Sequence, residues 1–296
     1  MQSAELLTAE QRDFFEEHGF LRVPGALDPV TVLTLRETCL RRRDHERAAT
    51  AMPTASDDWR DQFDLPTHDM QAACDDARWE ESNVVACDDV FMSVIDHRAI
   101  LQAAAGLLSE NIFLMGSLAM IRSQVPLSMS EFRRFPLDWH RDLGTSAVEM
   151  TQPHPRLSVK AAYWLTLLDA PGQGAMQVVP GSHRLTGSLS INPETGHPYG
   201  AIEIYAQPGD ALLFDQRLWH AAAPNTTANP RICLFYAYGY RWLRPDDYRD
   251  LPPQLMDRLP PVRRQLLGAV ESRQGYYLPT SADLPLRQWL RDGGHG

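Results

Sequence analysis

The sequence predicts a mainly β domain, either a sandwich or a jelly roll, with helices flanking it. Between residues 110 and 245, roughly eight short runs rich in β-branched and aromatic residues are separated by Pro, Gly and Asn turns. Helical patterns stand before and after this region and not between its strands, which argues against alternating α/β units. Many short strands at this spacing are typical of an antiparallel β core.

The part of the chain before this region is predicted to be helical. Thr8 and the Gln three residues later form a capping-box pattern, and Gly19 ends the helix that they open. The segment that begins at Pro29 reads as a longer amphipathic helix. A further helix is predicted over "DDVFMSVIDHRAILQAAAGLLSE", whereas residues 49–83 are acidic and loop-like.

The β region and the segment after it complete the predicted architecture. The expected strands are "NIFLMGSLAMIRSQV", "LDWHRD", "RLSVKAAYWLTLL", "AMQVVPGSH", "AIEIYAQPGDALLFD", "RLWHAAAP" and "RICLFYAYGYRW". After them, "VRRQLLGAV" and "LPLRQWLRD" predict short helices outside the core. We found no repeat and no low-complexity linker, so we predict one domain over 1–296. Its parts are a mainly helical 1–109, a β core at 110–245 and a helical 246–296.

Composition and charge narrow the functional class. The chain has 296 residues, 44% of them hydrophobic, and a formal net charge of −10. Nucleic-acid and anionic-membrane partners favour basic surfaces, so neither is expected. The N-terminus lacks a signal-peptide pattern, there is no long apolar span, and the four cysteines show no CxxC spacing. These features predict a cytoplasmic enzyme or binding protein; oligomeric state is not readable.

The stretch "LDWHRDLG" raises the possibility of a metal site. His140 and Asp142 are two residues apart, so on a strand both side chains point to one face. A metal site needs a third ligand, and His220 in the apolar strand "RLWHAAAP" is the best candidate. Three other downstream candidates lie in turns or Pro-rich loops and are predicted not to be ligands: His154, His183 and His197.

Two imidazoles and one carboxylate are the ligand set of non-haem Fe(II) oxygenases, and they leave coordination positions open. Arg231 follows at the start of "RICLFYAYGYRW". A guanidinium matches a carboxylate through two parallel hydrogen bonds, and a buried one needs an anion. Alone, Arg231 would be explained by a surface acid. Beside this ligand set, an anionic cosubstrate is the better interpretation.

At these residues the chain resembles the phytanoyl-CoA dioxygenase family of Fe(II)- and 2-oxoglutarate-dependent oxygenases. The matching motifs are "WHRD", "GAMQVVPGSHR" and "PGDALLFDQRLWHAAAPNTTANPR", and the likeness runs from "FFEEHGFLRVPGAL" to about residue 245. The resemblance implies a double-stranded β-helix (jelly roll, cupin-like) core. It also implies that His140, Asp142 and His220 bind Fe(II), that Arg231 binds 2-oxoglutarate, and that O2 is the oxidant.

The sequence departs from the family pattern at two places. Ala222 stands where some members have a Ser or Thr that helps to bind the cosubstrate. Many members place a Lys on the strand before the H-x-D motif, where this chain has Arg122 and Gln124. Either could reach the cosubstrate or the substrate. We predict Gln124 and Thr166 as cosubstrate contacts and Arg122 as a substrate contact.

The leading hypothesis is a 2-oxoglutarate-dependent dioxygenase that hydroxylates, or otherwise oxidises, an unactivated C–H bond of a small metabolite. A natural-product intermediate would fit, and succinate and CO2 would be released. Because related halogenases lack the carboxylate, Asp142 favours a halide-free oxidation. The alternatives are a zinc-dependent jelly-roll hydrolase, against which Arg231 argues, and a non-catalytic binding protein. The loops expected to select the substrate are 49–83, 125–137, 144–156 and 186–200.

Overall fold

Two antiparallel sheets form the centre of the protein. The computed structural model describes residues 6–50, 77–144, 146–247, 251 and 253–294. The six-stranded sheet has, in spatial order, β1 (Phe20–Val23), β7 (Ala211–Asp215), β4 (Ser158–Trp164), β9 (Arg231–Tyr240), β3 (Ile112–Arg122) and β2 (Arg78–Ser82). The three-stranded sheet has β6 (Ile202–Ile204), β5 (Met176–Val178) and β8 (His220–Ala222). The predicted mainly β core is confirmed.

Apolar side chains fill both faces of the larger sheet. On the inner face, Ala162 and Trp164 of β4 join a core that includes Met176 of the smaller sheet. On the outer face, Val159 and Tyr163 join the core beneath the helices. This alternation follows from the two-residue period of a strand. It shows that the even-numbered side chains of β4 point toward the space between the sheets.

Helices cover the outer face and the ends of the sheets. They are α1 (Ala9–His18), α2 (Pro29–Thr50), α3 (Asp89–Met92), α4 (Arg98–Leu107), α5 (Met129–Phe132), α6 (Ser146–Glu149), α7 (Pro253–Asp257), α8 (Pro261–Leu266) and α9 (Pro285–Arg291). The capping box at Thr8 is present, and Gly19 ends α1 at a φ of 83°. In the described part of the chain, we find no helix with the length and apolar character of a membrane span.

The predicted single helix over "DDVFMSVIDHRAILQAAAGLLSE" is wrong, because α3 and α4 are separate. The hydroxyls of Tyr236 and Tyr238, on β9, donate to the carbonyls of Phe91 and Ile95 at 2.9 Å. Ser93 donates to its own helix at Val90 O. Between the two helices the backbone is paired through i→i+3 turns, in which Val94 N donates to Phe91 O and His97 N donates to Val94 O.

Two strand assignments also differ from expectation. The segment 49–83 is not all loop, since β2 pairs with β3 along the edge of the larger sheet; residues 51–76 lie outside the described part. The expected strand "LDWHRD" is reduced to one antiparallel bridge between His140 and His220. That single bridge adds the H-x-D segment to the edge of the smaller sheet, next to β8.

A buried ion cluster ties α1 to the β core. Asp215 is fully buried at the end of β7, with Arg156 Nε and Arg217 Nη2 each 2.7 Å from its Oδ2. Arg156 also pairs with Glu16 of α1 at 2.7 Å. Burial raises the pKa of Asp215, but the two hydrogen-bonded guanidiniums outweigh it and hold the pKa below its ordinary value.

We expect Asp215→Asn to lower the free energy of unfolding by about 3–5 kcal/mol, because the enclosed guanidinium of Arg217 loses its acid and Arg156 keeps only Glu16. Since folding lowers the pKa of Asp215, its stabilisation is present above the ordinary carboxyl pKa of about 4 and is lost below it. Urea denaturation of parent and variant at pH 7, and at pH values from about 4 down to about 2, measures both effects. Asp44→Asn, at a carboxylate 63% exposed and paired with Arg43, should change stability by under about 0.5 kcal/mol.

Candidate metal centre

Three side chains predicted as metal ligands converge at the inner edge of the smaller sheet. His140 and His220 exchange two backbone hydrogen bonds of 3.0 Å, and Asp142 N donates to Gln216 O at 2.8 Å. Asp142 Oδ1 lies 3.8 Å from His140 Nε2, and Asp142 Oδ2 lies 3.6 Å from His220 Nε2. One ligand atom from each residue falls within 4.8 Å of the others, so the three could hold a metal ion.

The two imidazoles are held with their Nε2 atoms available. His140 Nδ1 donates to Asp138 O and His220 Nδ1 donates to Leu218 O, both at 2.9 Å. A carbonyl can only accept, so the Nδ1 atoms bear the protons and the Nε2 lone pairs stay free for a metal. Burial lowers the pKa of His220 to about 4, which keeps this ring neutral near pH 7.

Lys160 is a residue of the site that the sequence analysis missed. It extends from the inner face of β4, and its Nζ lies 2.8 Å from Asp142 Oδ2. Burial raises the pKa of Asp142, but Lys160 and the imidazoles outweigh it, so the net shift is downward. A signal was present: of the 28 lysine and arginine residues in the chain, this is the only lysine.

Arg231 is buried, and no acid among the described residues forms an ion pair with it. Only 1% of the residue is exposed. Its Nη1 donates to Met120 Sδ at 3.0 Å, while its Nε and Nη2 have no hydrogen-bond partner among the described residues. A permanent cation in such surroundings is costly unless an anion joins it. The arrangement therefore fits a bound carboxylate.

The triad and Arg231 share one cavity of about 350 Å³. Arg122 and Ala222 also line it. Its apolar wall comes from Leu118, Met120, Phe135, Leu137, Met176, Phe214 and Phe235. Of the four predicted substrate loops, 125–137 and 49–83 contribute described lining residues.

Two predicted cosubstrate contacts, Gln124 and Thr166, do not line this cavity. Gln124 Nε2 donates to Thr226 O at 3.1 Å on the surface. Thr166 Oγ1 accepts from Ile232 N at 2.9 Å. The reason is local: β4 ends at Trp164, so Thr166 has left the inward alternation and its hydroxyl continues the pairing with β9.

The fold and the site together define a class. Two facing antiparallel sheets that enclose a two-histidine, one-carboxylate set and a buried guanidinium are typical of jelly-roll, Fe(II)- and 2-oxoglutarate-dependent oxygenases. A family model described as phytanoyl-CoA dioxygenase (PhyH) matches residues 15–233. The chain belongs to the phytanoyl-CoA dioxygenase family, and the resemblance predicted from its motifs is confirmed.

Individual relatives are more distant. An ectoine dioxygenase of Nocardia farcinica is 31% identical over 133 residues, 37% of this chain and 44% of the relative. One from Sphingopyxis alaskensis is 29% identical over 163 residues, 47% of this chain and 53% of the relative. The matches thus span about half the length of these relatives.

Solved structures confirm the jelly-roll fold. HygX from Streptomyces hygroscopicus, with nickel and 2-oxoglutarate bound, aligns at a TM-score of 0.57 with 19% identity, covering 83% of this chain and 91% of HygX. SnoN, a non-haem α-ketoglutarate-dependent epimerase from nogalamycin biosynthesis, aligns at 0.57 with 19% identity, covering 82% and 87%.

Proposed function

We propose that the protein is an Fe(II)- and 2-oxoglutarate-dependent dioxygenase that oxidises a C–H bond of a small organic metabolite and releases succinate and CO2. One observation supports this most strongly: Arg231 is buried, has no acid partner in the part of the chain that the structure describes, and lines the same cavity as the candidate metal ligands. Zinc-dependent hydrolysis does not require a dicarboxylate, so it would leave the Arg231 guanidinium without an anionic partner. A dicarboxylate cosubstrate would give it a partner.

The residues present fit both cofactors. Neutral Nε2 atoms of His140 and His220 and an ionised Asp142 would bind Fe(II) and leave three positions for other ligands. Bound iron would supply the activation of dioxygen. Arg231 would pair with the distal carboxylate of 2-oxoglutarate through its guanidinium fork. The apolar wall would limit water around the reacting groups. Asp142 also favours hydroxylation over halogenation.

Anaerobic titration with Fe(II) and then 2-oxoglutarate tests the proposal. We expect a weak visible charge-transfer band that saturates with 2-oxoglutarate. The matched control is 2-oxobutyrate, which has the same chelating end but no distal carboxylate for Arg231. It should need roughly 100-fold more ligand, which corresponds to about 3 kcal/mol for a lost buried charge pair.

Two results would reject the dioxygenase assignment. One is the absence of a band with either acid while zinc stays tightly bound, which would favour the hydrolase. The other is a failure to release succinate from 2-oxoglutarate in air with Fe(II) present. Equal affinities for the two acids would instead reject the role of Arg231.

A further inference from the structure

Three arginines stand side by side across the larger sheet. Arg78 of β2 is the register partner of Arg122 of β3, and Arg122 is the register partner of Arg231 of β9. Directly paired residues point to the same face, and all three line the metal cavity. We call these residues the arginine row. Like charges directly opposite one another destabilise a sheet, so anions bound beside the arginine row would stabilise it.

The three members have different surroundings. Arg78 pairs with Glu80. The side chain of Arg231 extends toward Met120 and Phe235. Its Nη1 donates to Met120 Sδ, and its Cζ lies 6.0 Å from the ring centre of Phe235. Arg122, between them, has no ion pair among the described residues, and its buried Nε has no hydrogen-bond partner there.

The charge of Arg122 is disfavoured where it stands. Burial, Arg231 and Arg78 lower the pKa of Arg122 to about 10, so it remains protonated near pH 7 but at an energetic cost. Such a group is stabilised by any oxyanion that enters the cavity.

The proposed cofactors do not remove this excess charge. The two negative charges of 2-oxoglutarate would balance those of a divalent metal, while Asp142 already balances Lys160 and Glu80 balances Arg78. The described lining residues include four cations and three acids, the third acid being the exposed Asp138. One net positive charge therefore remains, and it lies at Arg122 once the distal carboxylate of 2-oxoglutarate has paired with Arg231. One further anionic group is needed in the loaded cavity, and the substrate is the component not yet assigned.

We propose that the substrate bears an oxyanion, a carboxylate or a phosphate, which binds Arg122 at the middle of the arginine row while Arg231 binds the cosubstrate. This proposal rests on the proposed dioxygenase function. It makes Arg122 a specificity-determining residue and selects acidic metabolites over neutral ones.

The test separates substrate binding from cosubstrate binding. Anaerobic protein loaded with Fe(II) and 2-oxoglutarate is titrated with benzoate, phenyl phosphate and benzamide, and changes in the charge-transfer band give affinities. We expect benzoate or phenyl phosphate to bind at least about tenfold more tightly than benzamide. The one that binds more tightly identifies whether the substrate anion is a carboxylate or a phosphate. Arg122→Gln should abolish this preference and change the affinity for 2-oxoglutarate by less than about threefold.

Several results would overturn this assignment. If Arg122→Gln lowers the affinity for 2-oxoglutarate as much as Arg231→Gln does, Arg122 belongs to the cosubstrate site. Equal affinities of the wild-type protein for benzoate, phenyl phosphate and benzamide would also contradict the proposal, and so would a failure of all three to bind. If wild-type protein shows no band with 2-oxoglutarate, the dioxygenase function itself has failed, and this result is distinguishable from the others.

A separate observation concerns Lys160. We further propose that this lysine is a positioning residue, which binds Asp142 Oδ2 and leaves Oδ1 for the metal. An ammonium is a point donor, whereas a guanidinium fork engages both oxygens of a carboxylate. An arginine here would therefore compete with the metal for the whole carboxylate. The single lysine of a chain that otherwise uses only arginine lies at this position.

Co(II) binding to the protein without cosubstrate tests this proposal, with the visible absorption of the ion as the signal. We expect Lys160→Met to weaken Co(II) binding by about 10–100-fold, the usual effect of losing a ligand's orienting partner. Lys160→Arg should bind at least as weakly, although it keeps the charge. Lys160→Gln, whose amide nitrogen can donate to one carboxylate oxygen without a fork, should recover part of the affinity.

Unfolding midpoints of the three variants exclude a general loss of structure. Wild-type Co(II) affinity in Lys160→Arg would show that charge alone matters and would overturn the proposal. Failure of Lys160→Gln to improve on Lys160→Met would do the same. Because the measurement involves neither 2-oxoglutarate nor turnover, it stands independently of the proposed function.

Discussion

Asp142→Ala is expected to reduce turnover by at least about a thousandfold, or roughly 4 kcal/mol, because it removes the only carboxylate of the proposed ligand set. Metal affinity should fall by more than the 10–100-fold that follows loss of an outer-shell partner. The variant also leaves Lys160 without its acid. Metal content after dialysis and 2-oxoglutarate-dependent succinate release measure the two effects.

Asp138→Ala is the matched control for this variant. Asp138 lies two residues before His140, and its side chain is 98% exposed. The contact that orients His140 is made by the backbone carbonyl of Asp138, so it survives truncation of the side chain. We expect near-parental metal binding and turnover. Equal losses in Asp138→Ala and Asp142→Ala would show that local charge, and not ligation, is responsible.

Arg231→Met is expected to raise the KM for 2-oxoglutarate by about 100-fold, since the cosubstrate loses a buried charge partner worth about 3 kcal/mol. Fe(II) binding without cosubstrate should be unchanged. The variant should also be no less stable than the parent, and up to about 1–4 kcal/mol more stable, because an unpaired buried cation is replaced by an apolar chain of similar size. Succinate kinetics and urea denaturation test the pair of effects.

Arg217→Met applies the same substitution to an arginine with a different role. Arg217 contacts Asp215 through two nitrogens, at 2.8 and 2.7 Å. Its loss should destabilise the protein and leave the KM for 2-oxoglutarate near the parental value. An Arg231→Met protein that resembles Arg217→Met in both measurements would show that Arg231 has a structural role.

Much of the fold was predictable because local patterns determine it. Strand alternation and turn residues indicated the β core, and the Thr8 capping box and Gly19 marked α1. The convergence of His140, Asp142 and His220 was predictable from residue type and spacing. That inference also needed the family resemblance, because a two-residue spacing alone does not specify a partner far along the chain.

The remaining features depend on contacts between distant segments. Tyrosines of β9 bind carbonyls at the break between α3 and α4, and the edge strand β2 forms on β3 despite its two glutamates. Thr166 does not line the cavity because β4 ends at Trp164, two residues before it. The alignment of Arg78, Arg122 and Arg231 requires the register of three strands, which no local pattern specifies.

The backbone bridge between His140 and His220 has a consequence for folding. Because these residues come from separate parts of the chain and meet only when the smaller sheet closes, a metal that needs both would bind the native state and not its unfolded segments. The bound ion would then stabilise the native state, in which the H-x-D segment pairs with the edge of the smaller sheet. At a hundred times its Kd it would add about 2.7 kcal/mol to the free energy of unfolding.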